Sequence, residues 1–281
     1  MAKPRVIRVT KADNNFQYLE VISRNRRKRH RYGVFLVETV KGINAALQYR
    51  WDIQAFIYPA QVELSRWAQD ILQNSRAPVH YELNPRLMEE LSDREETSEL
   101  LALAAIPPDD LARIPIRKGF LVVVLDRPSN PGNIGTIIRS CDSFQAAGLV
   151  ITGHSADLYD PQAVRSSISS LFALPTVRVP SYQELLPWFA RIRERYPDFQ
   201  IIGSSAKATK KITQVDFTRP TALILGNETS GLSHNFREIC DEIAKIPIFG
   251  STSSLNIACA ASIFLYEIQR QRCAAPLIPG E

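Results

Sequence analysis

Residues 120–144 read FLVVVLDRPSNPGNIGTIIRSCDSF and contain the change of pattern that decides the fold. The unbroken apolar run Phe120–Leu125 is typical of a strand that is buried on both faces of a parallel sheet. A loop rich in Pro, Gly and Asn follows it, and an amphipathic pattern then predicts a helix over Ile134–Gln145. A strand, a loop and a helix in this order predict an α/β fold.

The same alternation continues towards the C-terminal end. Apolar runs predict strands, and the amphipathic segments between them predict helices on the faces of a mostly parallel sheet. The further strands are GLVIT (148–152), TVRV (176–179), QIIGS (200–204), TALILG (221–226) and EIAKIPI (242–248). The further helices are Pro161–Leu171, Tyr182–Arg195, His234–Cys240 and Leu255–Arg272.

The N-terminal part alternates in the same way from Gly33 to Ile106. The segment IPPDDLARIPIRKG (106–119) then carries three prolines and two adjacent aspartates, which is the composition of an exposed connector. A length of 281 residues also fits about two domains of roughly 150 residues each. We therefore predict an α/β domain over residues 1–106, a linker over 107–118 and a second α/β domain over 119–281.

The positive charge of the chain is concentrated in one short run. Six of the eight positions from 24 to 31 are basic, and removing these six charges would change the net charge from +5 to −1. They are Arg24, Arg26, Arg27, Lys28, Arg29 and Arg31. A solvated helix face or a frayed loop is the plain explanation, but such a concentration with Phe16, Tyr18 and Tyr32 nearby favours the phosphate backbone of a nucleic acid as the partner.

Several common functions lack their usual motifs. No Gly-x-Gly-x-x-Gly follows a predicted strand, and neither a P-loop, a Gly-x-Ser-x-Gly elbow nor a His-Glu-x-x-His pair occurs. The four cysteines form no Cys-x-x-Cys pair, so we expect no bound metal. No apolar run is long enough for a signal peptide or a membrane span, so we expect a cytoplasmic protein with no membrane partner.

Three segments follow predicted strands, at the edge where open α/β sheets bind ligands. LDRPSNPGNIGTIIRSCDSF (125–144) contains Asn133 and Arg139, and ALILGNETSGLS (222–233) places Glu228 between two glycines. The third segment, KIPIFGSTSSLNIACAASIFLYEIQRQR (245–272), places Asn256 at the apolar start of a helix. Taken singly, these residues have plain explanations: a helix cap for Asn133, a surface ion pair for Arg139 and a solvated turn for Glu228.

Together, in this order and spacing, the three segments resemble the signature motifs of the SpoU or TrmH family of RNA ribose 2′-O-methyltransferases. The resemblance extends from Phe120 to the C-terminal end and implies a trefoil-knotted domain that binds S-adenosyl-L-methionine. It also implies a homodimer paired through that domain. The alternation before Ile106 resembles the L30e-like domain that binds RNA in many members.

The resemblance also assigns roles by position. Catalytic roles fall on Asn133, Arg139, Glu228, Ser254 and Asn256, and backbone contacts to the cofactor fall on Gly226, Ile246 and Leu255. The segment VRSSISSLFALPTVRVPS (164–181) is similar to members that modify 23S ribosomal RNA and confer antibiotic resistance. A tRNA ribose methyltransferase and a non-catalytic RNA-binding dimer are the alternatives.

Overall fold

The computed structural model describes residues 3–92 and 98–274. The chain divides into two compact units. The N-terminal unit extends to Pro107 and also includes Asp157–Ala173, while the C-terminal unit is formed by Pro108–Ala156 and the chain from Leu174 onward. The division therefore lies close to the expected boundary, but one stretch from the second half of the chain belongs to the first unit.

The N-terminal unit is built on a five-stranded mixed sheet. Its elements before the boundary are β1 (Arg5–Val9), α1 (Asn14–Arg24), α2 (Arg26–Tyr32), β2 (Val34–Val37), α3 (Val40–Gln48), β3 (Ile53–Pro59), α4 (Arg66–Asn74), β4 (Val79–Leu83), α5 (Pro85–Leu91) and β5 (Leu101–Ala105). The strand order is β1-β4-β3-β5-β2. The β1/β4 and β3/β4 pairs are parallel, and the β3/β5 and β2/β5 pairs are antiparallel.

Strand β1 and helices α1 and α2 precede Gly33, where the sequence analysis assigned no elements. The basic run forms α2 for local reasons. The Asn25 side chain accepts a hydrogen bond from Lys28 N over 3.1 Å and starts the helix, and Gly33 ends it in the left-handed conformation with φ 66°. The run is therefore an ordered helix rather than a frayed loop.

The remaining elements follow in chain order. They are β6 (Leu121–Asp126), α6 (Pro131–Ser143), β7 (Gly148–Thr152), α7 (Pro161–Ser167), α8 (Ser170–Ala173), β8 (Thr176–Val179), α9 (Leu185–Arg195), β9 (Gln200–Ser204), β10 (Lys210–Lys211), β11 (Thr221–Leu225), α10 (His234–Ile239), β12 (Glu242–Lys245) and α11 (Ile257–Ala274). Helices α7 and α8 belong to the N-terminal unit, and the others form the C-terminal unit.

The C-terminal unit contains the expected parallel sheet. Its strand order is β10-β12-β9-β11-β6-β7-β8, and every pairing between neighbours is parallel. Strands β6 and β11 lie side by side, all their residues are buried, and all except Asp126 and Thr221 are apolar. The predicted strand EIAKIPI is shorter than expected, because only Glu242–Lys245 pairs with the sheet. The α/β fold with a mostly parallel sheet is confirmed.

Residues 108–118 are mostly exposed, as their composition indicates, but they are anchored to the C-terminal unit. Ile114 is 2% exposed and belongs to the core of the C-terminal unit. Asp109 accepts a hydrogen bond from the backbone N of Arg178 over 3.0 Å and forms an ion pair with its guanidinium at 2.6 Å. These contacts hold the segment against the unit that follows it, and the composition of the segment does not reveal these distant partners.

Residues 157–173 complete the apolar packing of the N-terminal unit. The Phe35 ring lies 4.7 Å from Tyr159 and is stacked on Phe172 at 6.3 Å, measured between centroids. Trp51 Nε1 donates to the Phe172 carbonyl over 3.0 Å. The single helix predicted over Pro161–Leu171 is instead two helices, because Ile168 has φ 58°, which a helix does not contain.

Within 3–92 and 98–274, every helix is too short or too polar to cross a bilayer. The same residues contain no group of three or more His, Cys, Asp or Glu side chains that could hold a metal ion.

Candidate active site

Strands β6 and β11 bring two of the predicted motifs together. They run parallel with Leu125 paired to Leu225, so the loops after their carboxyl ends start side by side. The first loop leads into α6, which begins at Pro131, three residues earlier than predicted. Asn130 caps α6 by accepting a hydrogen bond from Asn133 N over 3.0 Å. Asn133 is therefore not the helix cap, and its side chain makes other contacts.

The Glu228 carboxylate is held by the opposite loop. Oε2 accepts hydrogen bonds from Ser129 N over 2.9 Å and from Ser129 Oγ over 2.8 Å. Oε1 accepts from Asn133 Nδ2 over 3.1 Å. Partial burial raises the pKa of Glu228, but these hydrogen bonds, above all that from Ser129 N, bring the pKa below its ordinary value. Glu228 is therefore an ionised anchor rather than a solvated turn residue.

The third motif joins the same network. Asn256 Nδ2 donates to Asn133 Oδ1 over 3.1 Å, and Asn256 Oδ1 accepts from Ala258 N over 2.8 Å in the first turn of α11. Asn133 thus donates to Glu228 and accepts from Asn256. One side chain from each of the three predicted motifs takes part in this continuous chain of hydrogen bonds.

A cavity of about 410 Å³ opens beside this network. It is lined by six of the predicted residues: Gly226, Glu228, Ile246, Ser254, Leu255 and Asn256. Its volume lies in the range of small-molecule sites, and its wall combines backbone of two loops with apolar side chains such as Ile248. The arrangement suits a flat, partly apolar ligand held by backbone polar groups.

The loop after β11 closes tightly and needs glycine at its start. Asn227 and Gly231 exchange two backbone hydrogen bonds of 3.0 and 2.9 Å. A Cβ atom on Gly226 would lie 2.1 Å from Leu232 N and 2.2 Å from Gly231 C, which are backbone atoms that no rotamer change can move. Gly226 therefore fixes the shape of one wall of the cavity.

Arg139 stands apart from this cavity. It is exposed on α6, and its guanidinium has no hydrogen-bond or ion-pair partner within the described residues. It is not among the residues that line the cavity. Of the five predicted catalytic residues, four therefore lie at the hydrogen-bond network or the cavity. The fifth, Arg139, lies further along α6 and is exposed.

Two cations of the cavity wall escaped the sequence analysis. Lys207 follows β9, and Arg237 lies on α10; both line the cavity. The Lys207 ammonium and the terminal nitrogens of Arg237 have no partner among residues 3–92 and 98–274, although Arg237 Nε donates to the Leu232 carbonyl over 3.1 Å. Neither residue belongs to a recognisable motif, so only the fold could place them here.

The prediction for Arg29 needs correction. Its side chain is 2% exposed and forms an ion pair with Asp157 at 2.8 Å, and its Nη1 donates to the carbonyls of Ile22 and Ser23. Burial raises the pKa of Asp157, but its bonds to His30 and Arg29 bring it down to about 2. Arg29 is therefore an internal residue of the N-terminal unit and not part of an RNA-binding surface.

The other members of the basic run lie at the surface. Arg24, Arg26, Arg27 and Arg31 are exposed, and Lys28 is half-buried. Arg24 forms an ion pair with Glu20 at 2.7 Å and also donates to the Glu90 carbonyl. A cationic helix surface therefore remains after Arg29 is removed from the predicted set.

Comparison with known proteins identifies the family. A sequence profile of the SpoU rRNA Methylase family matches residues 120–266, and a profile of the SpoU L30e-like domain matches residues 13–102. The chain belongs to the SpoU rRNA methylase family. This confirms the membership expected from the three motifs, and the L30e-like match confirms the class of the N-terminal unit.

Relatives cover almost the whole SpoU chain. A 23S rRNA (uridine(2479)-2′-O)-methyltransferase from Streptomyces viridochromogenes is 44% identical over 270 residues, which are 96% of this chain and 94% of that protein. The crystal structure of the SpoU methyltransferase AviRb from the same organism, in complex with the cofactor AdoMet, has a TM-score of 0.88 at 44% identity and covers 93% of this chain and 99% of its own. An AdoMet-bound rRNA methyltransferase from Sinorhizobium meliloti has a TM-score of 0.82 at 25% identity, with 94% and 98% covered.

Proposed function

We propose that this protein transfers a methyl group from S-adenosyl-L-methionine to the 2′-hydroxyl of a ribose in 23S ribosomal RNA, in the cytoplasm. The observation that carries the proposal is the hydrogen-bonded chain Glu228–Asn133–Asn256 beside a cavity of cofactor size. The 44% identical 23S rRNA methyltransferase supports the choice of substrate. As part of the same proposal, this methylation would make the ribosome resistant to an antibiotic that binds it.

The cavity residues fit the proposed cofactor. Backbone groups at Gly226, Ile246 and Leu255 would bind its polar groups, and the apolar side chains around them would cover its flat base. When bound, the cofactor would supply a methyl group: the bond between the methyl carbon and sulfur breaks, a bond to the ribose 2′-oxygen forms, and the hydroxyl proton is released to solvent. Ser254 and Asn256, which line the same wall, would shape the loop around that point.

Arg139 has the chemistry to hold the RNA rather than to remove the hydroxyl proton. A guanidinium stays protonated in proteins, so it is a poor base. Its planar fork binds a phosphate bidentately and stabilises negative charge that develops on the 2′-oxygen. The ionised Glu228 and Asn133 would then orient the nucleotide and the start of α6, which leads to Arg139.

The test is methyl transfer by the full chain. Purified protein and labelled S-adenosyl-L-methionine are incubated with 23S rRNA, 16S rRNA and tRNA from cells that lack the gene. We expect label in 23S rRNA alone, at one ribose. Label in tRNA alone would show that the substrate is tRNA instead of 23S rRNA. Label in no RNA would favour a non-catalytic RNA-binding protein. Growth of the same cells with ribosome-targeting antibiotics, with and without the gene, tests the resistance role.

Arg139→Lys tests the assigned grip, because lysine keeps the charge and loses the fork. We expect at least a tenfold rise in KM for RNA with little change in affinity for S-adenosylhomocysteine. Near-normal kinetics would reject bidentate binding by Arg139.

We also propose a homodimer paired through the C-terminal unit, and a trefoil knot in that unit. Helix α11 packs beside α6 and carries a stripe of exposed side chains that a second copy would cover, with Ile263 38% and Tyr266 59% exposed. Cys259 lies one turn before Ile263 on the same side of the helix. Sedimentation of the Ile263→Glu/Tyr266→Glu variant as a monomer would support this interface, and an unchanged dimer would reject it.

A further inference from the structure

Phe249 is the most exposed large apolar residue among those that the structure describes. It is 96% exposed, whereas the other exposed large apolar side chains of the described residues lie between 37% and 59%. It belongs to the segment that connects β12 to α11. An aromatic ring in water forgoes the free energy of burial, so covering this ring with a ligand would be favourable.

The position of Phe249 points to the substrate side of the cavity. Its neighbour Ile248 lines the cavity, and so does Ser253 further along the same segment. Phe249 therefore lies next to the cavity wall along the chain, and its ring is open to solvent.

Two unpaired cations line the same cavity. The Lys207 ammonium and the terminal nitrogens of Arg237 have no acceptor within the described parts of the chain. An exposed aromatic ring and unpaired cations around one cavity are the combination with which proteins bind single-stranded nucleic acid, since bases stack on the ring and phosphates pair with the cations.

We propose that Phe249, Lys207 and Arg237, here called the rim, bind an unpaired nucleotide of the RNA substrate. The base stacks on Phe249, and Lys207 and Arg237 bind the adjoining phosphates. A base inside a duplex has both faces covered by its neighbours, so the rim selects a loop or a flipped nucleotide. The proposal rests on the proposed methyltransferase function and narrows its substrate class.

The first experiment measures kcat/KM for methyl transfer to a 23S rRNA transcript. We expect Phe249→Ala and Phe249→Leu to lower it roughly 5- to 150-fold, and Phe249→Tyr and Phe249→Trp to stay within about threefold of the parent, because stacking needs a ring and not only an apolar side chain. Leu186→Ala, an exposed apolar residue of α9, is the matched control and should change nothing.

The same variants separate stacking from the other ways of covering the ring. We expect Phe249→Ala to keep the affinity for S-adenosylhomocysteine and the sedimentation coefficient of the parent. Equal activity of the Leu and Trp variants would overturn stacking. Dissociation of Phe249→Ala into smaller species would overturn the rim in favour of a contact with a second copy.

The second experiment concerns the cations. Lys207→Met and Arg237→Met should each lower the affinity for the transcript and reduce the salt slope by about 0.7, the value for one phosphate of a single strand. Arg191→Met, on the exposed side of α9, is the control. Weaker binding of S-adenosylhomocysteine with unchanged binding of RNA would overturn the assignment. It would mean that Lys207 and Arg237 bind the carboxylate of the cofactor.

A final comparison tests the substrate class. The short fragment that contains the methylated ribose is offered either open or annealed to its complementary strand. We expect transfer only to the open form. Equal transfer to both forms would overturn the rim while leaving the methyltransferase function intact, whereas no transfer by the parent protein to any RNA would remove the function itself.

Discussion

Asn133 Nδ2 donates a 3.1 Å hydrogen bond to Glu228 Oε1 across 95 positions of sequence. An amide can donate and accept at once, and Asn133 does both, because its Oδ1 accepts from Asn256. A carboxylate can only accept and an ammonium can only donate. The residue type at position 133 is therefore determined by its two neighbours.

Asn133→Asp should break the hydrogen bond to Glu228 with almost no change in the shape of the side chain at position 133. The new carboxylate cannot donate to Glu228 and repels it, so we expect kcat to fall about 100-fold. Affinity for S-adenosylhomocysteine, measured by calorimetry, should stay within about threefold. Asn130→Asp is the control, since aspartate caps a helix as well as asparagine does. An equal loss in both variants would assign the effect to charge alone.

Glu228 should not appear in the pH profile of the enzyme. Its pKa is lowered in the folded protein, so the hydrogen bonds to the carboxylate persist above the ordinary pKa near 4.5 and are lost only as the pH falls through the lower folded value. We expect kcat between pH 5.5 and 8.5 to have the same shape for the parent and for Glu228→Gln, at a lower level in the variant. A limb in this range that disappears in Glu228→Gln would contradict the ionised anchor.

Gly226→Ala should damage the cavity wall. The added methyl would meet the backbone at Gly231 and Leu232, so the loop must open. We expect at least a tenfold loss of affinity for S-adenosylhomocysteine in calorimetry. Gly250→Ala, where a Cβ meets nothing within 4 Å, is the control and should bind as the parent does. Tight binding by Gly226→Ala would mean that this loop does not hold the cofactor.

Arg29→Met should lower the free energy of unfolding by about 3–5 kcal/mol, because it removes the guanidinium that pairs with the buried Asp157 carboxylate. Arg27→Met, the same substitution on an exposed residue of the same helix, should change it by less than about 0.5 kcal/mol. Urea titration of the full chain measures both. If the two variants are equally stable, the ion pair contributes nothing to the fold.

The exposed arginines of α2 should affect the affinity for RNA rather than the stability of the fold. Neutralising Arg27 and Arg31 together should reduce the slope of log affinity against log salt for 23S rRNA by about two, close to one for each lost phosphate contact. Filter binding at several salt concentrations gives the slope. An unchanged slope would mean that Arg27 and Arg31 do not bind RNA phosphates.

The site was predictable where a local pattern was enough. Glu228 and Asn133 each follow an apolar strand, and the carboxyl ends of parallel strands meet at one edge, so their proximity could be expected before the strand order was known. The cap was not predictable in the same way. Asn130 and Asn133 are both good caps by type, and only the start of α6 at Pro131 decides between them.

Partners far apart in sequence account for the remaining differences. Arg29 looks like five other cations of its run, and its burial depends on Asp157, 128 positions away. Lys207 and Arg237 belong to no motif and line the same cavity only because of the way the chain folds. Such pairings depend on tertiary packing, which composition and periodicity do not encode.

The membership of Asp157–Ala173 in the N-terminal unit makes that unit a poor candidate for transplantation. A fragment cut after Pro107 would lose Asp157, Tyr159 and Phe172, so Arg29 would lose its ion-pair partner and the Phe35 ring would lose its aromatic contacts. An engineer who wishes to exchange the N-terminal unit must therefore exchange two separate stretches of chain at once.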